Sequence, residues 1–208
     1  MSKNIHANVK TPFTPEVVFP EIDDSAFVHP LAAVIGAVHI GKSVMVSPGA
    51  SVRGDEGGPI WVGDESNVQD GVVVHALAVL EEGQTVEKNM VEVEGKKWAV
   101  YVGNRVTLAH QTQIHGPAFV GDESFVGMQT LVFNAKVGRG CFIEPKCLIF
   151  GVEIGDDRYV PAGSFIKKQA DADALPVVTD DREFRKLKMG VVDVNIQLAA
   201  GYNAVEEL

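Results

Sequence analysis

His75, His110 and His115 are the residues of this chain best suited to chemistry. Imidazole is the commonest protein ligand for a metal ion. Three imidazoles around zinc leave one tetrahedral position open for water, and the metal moves that water's pKa toward neutrality. The chemistry implied is attack by hydroxide. His75 and His115 are forty positions apart, and His110 precedes His115 by five. Those intervals match no zinc motif of a single helix turn. Whether the three meet therefore depends on the elements that carry them. Histidines that line an interface without metal are the plainer alternative.

Those elements announce themselves by a period of six. Val34, Ile40, Val46 and Val52 form one run, and Val62, Val68 and Val74 a second. Val102, Leu108, Ile114, Val120, Val126 and Val132 form a third, and Val137, Ile143 and Ile149 a shifted fourth. Glycine often comes next, as at Gly41, Gly63, Gly103 and Gly121. Six fits neither the helical period nor simple alternation. It is the hexapeptide repeat of a parallel β-helix. Each hexad makes a short strand and a corner, and three hexads close one triangular turn. The aliphatic points inward, and coils stack at about 4.8 Å. A β-sandwich with accidental spacing is the alternative, and sixteen aliphatics in long registers oppose it.

Two breaks in register predict loops thrown out of the prism, one near 54–60 and a longer one near 80–100. The second contains MVEVEGKKWAVYV, a hairpin with Glu94-Gly95 near its turn. The expected organisation is an N-terminal extension over 1–26, the β-helix over 27–175, and a helical tail over 176–208. In the tail Phe184, Leu187, Val191, Val194 and Leu198 recur at three and four, which predicts an amphipathic helix along the prism. Thr179 or Asp180 would cap it, and Gly190 interrupts it.

The register places the histidines. With the longer loop removed, His75 and His115 are eighteen residues apart, one full turn. Their Cα atoms should lie about 5 Å apart, beside Arg53 on the same face. His110 is one hexad back, on another face, and a face is on the order of 15 Å wide. One chain cannot gather all three rings. A homotrimer can, with His110 of one protomer completing a site begun by His75 and His115 of the next. Gln69 shares His110's column and should reach the same metal. Both loops leave from the column of Arg53 and His75. They carry Asp55 and Glu56, then Glu81, Glu82 and Glu87. Exposed carboxylates are mostly solvated surface. Glu56 is the exception, three residues from Arg53 on a short tether. Arg53 itself reads as half of an intersubunit ion pair with Asp55 or Asp70.

Composition narrows the rest. The 208 residues carry a net charge of −10, with no basic stripe to bind nucleic acid. No run of eighteen apolar residues is present to span a membrane, and MSKNIHANVK has no signal-like apolar core. A cytoplasmic protein is expected, unless a signal has been removed. Cys141 and Cys147 fall at equivalent places on neighbouring faces, so buried thiols are expected rather than a disulfide.

The stretches VRGDEGGPIWVGDESNVQDGVVVHAL and VTLAHQTQIHGPAFVGDESFVGMQT resemble the γ-class carbonic anhydrases. The likeness runs from about Phe27 to Tyr202. It implies a left-handed β-helix, a homotrimer, and reversible hydration of carbon dioxide to bicarbonate by metal-bound hydroxide at three subunit interfaces. It implies one shared Zn2+ per subunit, with Fe2+ or Co2+ able to replace it. On that resemblance His75, His110 and His115 match the metal ligands, and Gln69 matches the residue that orients the hydroxide. Glu56 matches a proton-moving carboxylate, Arg53 and Asp70 an interfacial ion pair, and Asn195 a tail asparagine near the site. Asn67 lies in the matching NVQDG motif. Two positions depart. The family's archaeal type member has a proton-shuttling glutamate where this chain has Ala78, and a tyrosine is common where it has Asp193. Glu81, Glu82 or buffer would then carry the proton. A hexapeptide acyltransferase, and a weakly active scaffold subunit, are the competing readings.

Overall fold

The computed structural model describes residues 4–178 and 182–205. Its body is a prism of short parallel strands in three faces. The first face stacks Ala33–Gly36, Ser51–Gly54, Val73–His75 and the start of Gln113–Val120, in that order. The second stacks Val38–Ile40, Ile60–Val62, Val100–Val102 and the end of Gln113–Val120. The third stacks Phe27–Val28, Met45–Val46, Asn67–Val68, Thr107–Leu108 and Phe125–Val126. The chain visits first, second and third face in turn, then climbs one coil. Further coils continue through Leu131–Val137 to Phe165–Ile166.

Burial explains the six-residue period. Val34, Val52, Val74, Ile114, Val132 and Ile149 lie in one column, each in register with the next and shut off from water. Each such side chain contributes roughly 1.5–3 kcal/mol by leaving water. The following residue points outward, because successive strand side chains alternate. Arg53, His75 and His115 therefore stand on the outside of the first face. The glycines after the aliphatics let neighbouring coils close up. A Cβ on Gly121 would come within 2.6 Å of Arg139 N and 2.7 Å of Gly138 C.

Both expected loops leave at the edge between first and second faces. The short one joins Ser51–Gly54 to Ile60–Val62, and the long one joins Val73–His75 to Val100–Val102. The long loop holds the expected hairpin, Val91–Val93 against Lys96–Trp98. Glu94 and Gly95 form its two-residue turn with φ of 51° and 74°, the mirror-image geometry that suits strand twist.

Two features lie outside the sequence reading, and a third, the expected tail helix, differs from it only in being unbroken. Ile5–His6 and Glu21–Ile22 pair with Val34–Ile35 and His39–Ile40, so strands upstream of position 27 join the prism. A short helix, Gln169–Asp173, lies beside the last coils, with Ala172 and Leu175 buried in the core. The tail is one helix, Arg182–Asn203, which continues through Gly190. Thr179 and Asp180, the expected caps, lie outside the described residues.

The tail helix corrects the predicted apolar stripe. It runs down the third face, with Phe184 against Phe142 and Tyr159 at one end and Tyr202 stacked on Phe27 at the other. Val192, Asn195 and Ala199 are buried against the prism, whereas Leu187, Val194 and Leu198 are exposed. The third face offers mainly flat rings and small groups, so a smaller flank of the helix lies closest to it.

Candidate metal centre

Two half-sites lie on opposite edges of the first face. The first is built on the strand ends nearest the loops. His75 and His115 are level partners in adjacent strands, with ring centroids 5.5 Å apart and planes at 78°. The His115 Nδ1–H donates to the Gly116 carbonyl at 3.1 Å, which leaves the Nε2 lone pair available. The His75 Nε2 lies 3.4 Å from Asp55 Oδ1 and 3.5 Å from Glu56 Oε1. His75 Nε2 and Asp55 Oδ1 are both buried, and neither has a hydrogen-bond partner. Burial pushes the His75 pKa down, helped by the nearby Arg53 charge and opposed by Glu56 and Asp55. The ring is thereby kept neutral, the form that binds metal.

The short loop is held by an ion pair expected between subunits but found within the chain, and by contacts the sequence did not disclose. Arg53 donates to Asp55 Oδ2 at 2.9 Å within the same chain. Thr14 Oγ donates to the Asp55 carbonyl at 3.0 Å, so the N-terminal segment clamps the loop. Gly57 has φ of 83°, and a Cβ there would approach Phe13 O to 2.6 Å. A cavity of about 490 Å³ opens beside the loop, lined by Phe13, Glu56, Leu77, Ala78, Glu81 and Glu82. Nothing in TPFTP marks Phe13 as a neighbour of the site.

The second half-site occupies the corner between third and first faces. His110 Nδ1–H donates to Asp70 Oδ2 at 3.0 Å, so its Nε2 also remains available. Asp70, forty residues earlier, is the level partner of His110, and Gln69 stands one position back. Gln69 is buried. Its amide donates to Asn67 Oδ1 at 3.1 Å, and Asn67 donates to Thr107 Oγ1 at 3.0 Å. Asn195, also buried, donates to Val191 O of its own helix at 2.8 Å. Gln69, Asp70, His110 and Asn195 share a cleft of about 530 Å³ with the exposed flank of the helix.

One chain thus keeps the halves apart. Among the described residues no cluster of three or more His, Cys, Asp or Glu side chains is arranged to hold a metal ion. The donors nonetheless fit one. Two Nδ1–H groups are anchored on oxygen acceptors, and a third imidazole nitrogen is buried without a partner. Cys141 and Cys147 take no part. Both are free and buried, and burial pushes the Cys141 thiol up to about 11.

A carbonic anhydrase of Methanosarcina thermophila is 56% identical over 200 residues, covering 96% of this chain and 81% of that protein. The carboxysome assembly protein CcmM of a Nostoc species is 45% identical over 193 residues, which cover 92% of this chain but only 33% of that protein. A hexapeptide transferase family protein from Anaplasma phagocytophilum superposes with a TM-score of 0.68 at 26% identity, covering 89% of this chain and 93% of that one. No family model matches the chain. No helix among the described residues is long and apolar enough to cross a membrane.

Proposed function

Because the chain belongs to the γ-class carbonic anhydrase family, we propose that it hydrates carbon dioxide reversibly to bicarbonate at a divalent metal shared between protomers of a homotrimer. The observation that carries this reading is the divided donor set. His75 and His115 stand together on one edge, His110 on the other, and each has a ring nitrogen free for coordination. A closed threefold ring brings unlike edges together at three equal interfaces. His75, His115 and the partner subunit's His110 would hold the ion. Zinc suits three neutral imidazoles, and Fe2+ or Co2+ accept the same donors. When bound, the metal supplies the Lewis acidity that makes water nucleophilic near neutral pH.

The protein's own residues do the rest. One N–H of the Gln69 amide donates to Asn67, which fixes the orientation of the amide so that its Oε1 can accept a hydrogen bond from the attacking water and set its direction. The chain from Gln69 through Asn67 to Thr107 stiffens that acceptor. Asn195 adds a polar group to the wall of the same cleft. Glu56 is 40% exposed at its side chain and close to His75, so it can take a proton and release it. Glu81 and Glu82 line the cavity that Glu56 enters, and Ala78 offers no carboxylate there. Those two glutamates are therefore the candidate exit for the proton. Arg53 braces Asp55 against the site, and Asp70 aims His110. The free thiols fit a reducing compartment such as the cytoplasm.

The test is metal analysis, native mass and stopped-flow hydration on the same preparation. One divalent ion per chain, a trimer, and activity that falls on chelation and returns on reloading are expected. A metal-free protein that transfers acyl groups from a CoA thioester would refute the proposal.

A further inference from the structure

We propose that Thr14 is a positioning residue for Glu56, and that the N-terminal loop from Asn8 to Val18 is folded so as to deliver the Thr14 hydroxyl to the peptide from which Glu56 springs. The inference rests on the hydration reading above, in which Glu56 handles the proton.

The acceptor gives the contact its meaning. Thr14 Oγ1–H donates at 3.0 Å to the Asp55 carbonyl, which belongs to the peptide joining Asp55 to Glu56. Because a peptide is planar, holding that oxygen also fixes the direction in which the next residue leaves. The peptide on the far side is restrained too. Gly57 has φ of 83°, and a Cβ there would lie 2.6 Å from Phe13 O and 3.3 Å from Thr14 Oγ1. The Glu56 side chain is 40% exposed, and its Oε1 lies 3.5 Å from His75 Nε2. At so open a position packing does not set the side chain's direction, which leaves that task to the backbone.

The loop is built to hold Thr14 still. Asn8 and Thr14 are each only 4% exposed, although most residues around them are exposed. Asn8 Nδ2 donates to Glu16 O at 2.8 Å and to Val9 O at 3.1 Å, and Asn8 Oδ1 accepts from Val18 N–H at 2.8 Å. A single side-chain amide therefore ties both ends of the loop. Within it Thr14 N–H donates to Thr11 Oγ1 at 2.9 Å, and Thr11 N–H donates back to Thr14 O at 3.0 Å. A buried polar network satisfied in this way rigidifies what it joins.

Base and tip of this loop meet the same short loop. A Cβ on Gly36 would lie 2.7 Å from Gly54 O and 3.2 Å from Asn8 Cβ, so Asn8 sits at the corner where the short loop leaves the prism. Thr14 touches it at the next residue, Asp55. A segment bound only to the prism would stabilise the fold and nothing more. This one is fastened to the prism at its base and to the Asp55–Glu56 peptide at its tip, so a shift of Thr14 becomes a shift of the Glu56 carboxylate. Arg53 holds the Asp55 side chain separately. Loss of the Thr14 bond therefore frees the peptide and leaves that ion pair in place.

The test uses the full-length zinc-loaded protein and Thr14→Val, which keeps the shape of the side chain and removes its hydroxyl. Hydration should slow about tenfold with zinc content and native mass unchanged, and Thr14→Ser should restore the rate. In a Glu56→Ala background Thr14→Val should cost nothing further, because its effect runs through Glu56. In metal-free protein a glutamate-specific protease should cut after Glu56 about fivefold faster in Thr14→Val than in wild type. A Thr14→Val enzyme that keeps the wild-type rate, or that loses the same factor with and without Glu56, overturns the inference. A wild-type zinc protein that does not hydrate carbon dioxide overturns the hydration reading instead. The cleavage assay needs no activity and then decides the brace alone, equal cutting in both proteins overturning it. Should Thr14→Val misfold, Asn8→Asp takes its place in the same measurements, since it loses the donor to Glu16 O and keeps the acceptor for Val18 N–H. A wild-type rate in that variant overturns the inference.

Discussion

Mixing a His75→Ala chain with a His110→Ala chain tests directly whether the site is divided. In a ring of His110→Ala chains every interface lacks His110. In a ring of His75→Ala chains every interface lacks His75. A mixed ring has one whole interface, where the His110→Ala chain gives His75 and His115 and the His75→Ala chain gives His110. This holds for either mixed composition, because going round a ring of three crosses from one kind to the other once in the productive direction. Statistical assembly from equal amounts makes about three in four rings mixed, so about a quarter of all interfaces become whole. Co-refolded protein should therefore regain about a quarter of the wild-type zinc content and hydration rate, while each variant alone stays near zero. Differently tagged chains, mass analysis of the rings and stopped-flow assays supply the measurement. Mixed rings that recover neither zinc nor rate would refute a site assembled from His75 and His115 on one protomer and His110 on another.

Gly116→Ala should weaken the fold at the root of the long loop without removing a ligand. Its Cβ would lie 2.2 Å from Ala99 O and 2.9 Å from Ala76 Cβ, and the former is backbone that cannot rotate away. A loss of roughly 1–3 kcal/mol is expected, read as a lower melting temperature of metal-free protein; wild-type melting would contradict it. Glu81→Ala/Glu82→Ala should slow hydration in dilute buffer and recover as buffer concentration rises. An unchanged rate in dilute buffer would remove both from the proton path. Cys141 should ignore thiol reagents at pH 8 until the protein unfolds. Its folded pKa, raised by burial to about 11 from a reference of 9.0, leaves stability intact below about pH 9 and lowers it as pH climbs toward 11. The loss is up to about 3 kcal/mol. Between pH 8 and pH 10.5 wild type should lose more stability than Cys141→Ala does, whatever constant offset the smaller side chain adds.

The prism was legible because its core is written at one fixed interval. Val74 and Ile114 are forty apart, yet removing the loop predicted them to be neighbours, and they pair in register. His75 and His115 inherit that register as the next outward positions. The hairpin at Glu94-Gly95 was legible from turn chemistry alone. The corner at His110 was less so, because turn residues do not alternate in and out as strand residues do. Asp70, with Gln69 one position back, is what holds the ring. Ile5–His6 and Glu21–Ile22 are two-residue strands, too short to carry any period. Phe13 reaches the site through contacts more than forty residues distant in sequence, for which no local pattern exists.

The helix shows how a correct period can still mislead. Phe184, Leu187, Val191, Val194 and Leu198 read as one stripe for one partner. The structure divides them, with Phe184 and Val191 packed on the third face and Leu187, Val194 and Leu198 turned away from it. Helical periodicity reports where apolar groups lie around the axis, not how many surfaces they serve. The metal centre proposed above would require a second surface. His75 and His115 stack along the outside of a stiff prism, so a third ligand must approach from in front of the face. The chain's own His110 lies around the corner, and coil geometry cannot bend it back. Ala78 lies in the long loop and Asp193 on the tail helix, both off the coils, where a side chain can vary without breaking a coil. Chemistry at the metal is thus bound to the prism's period, while access to it is left to residues the period does not govern.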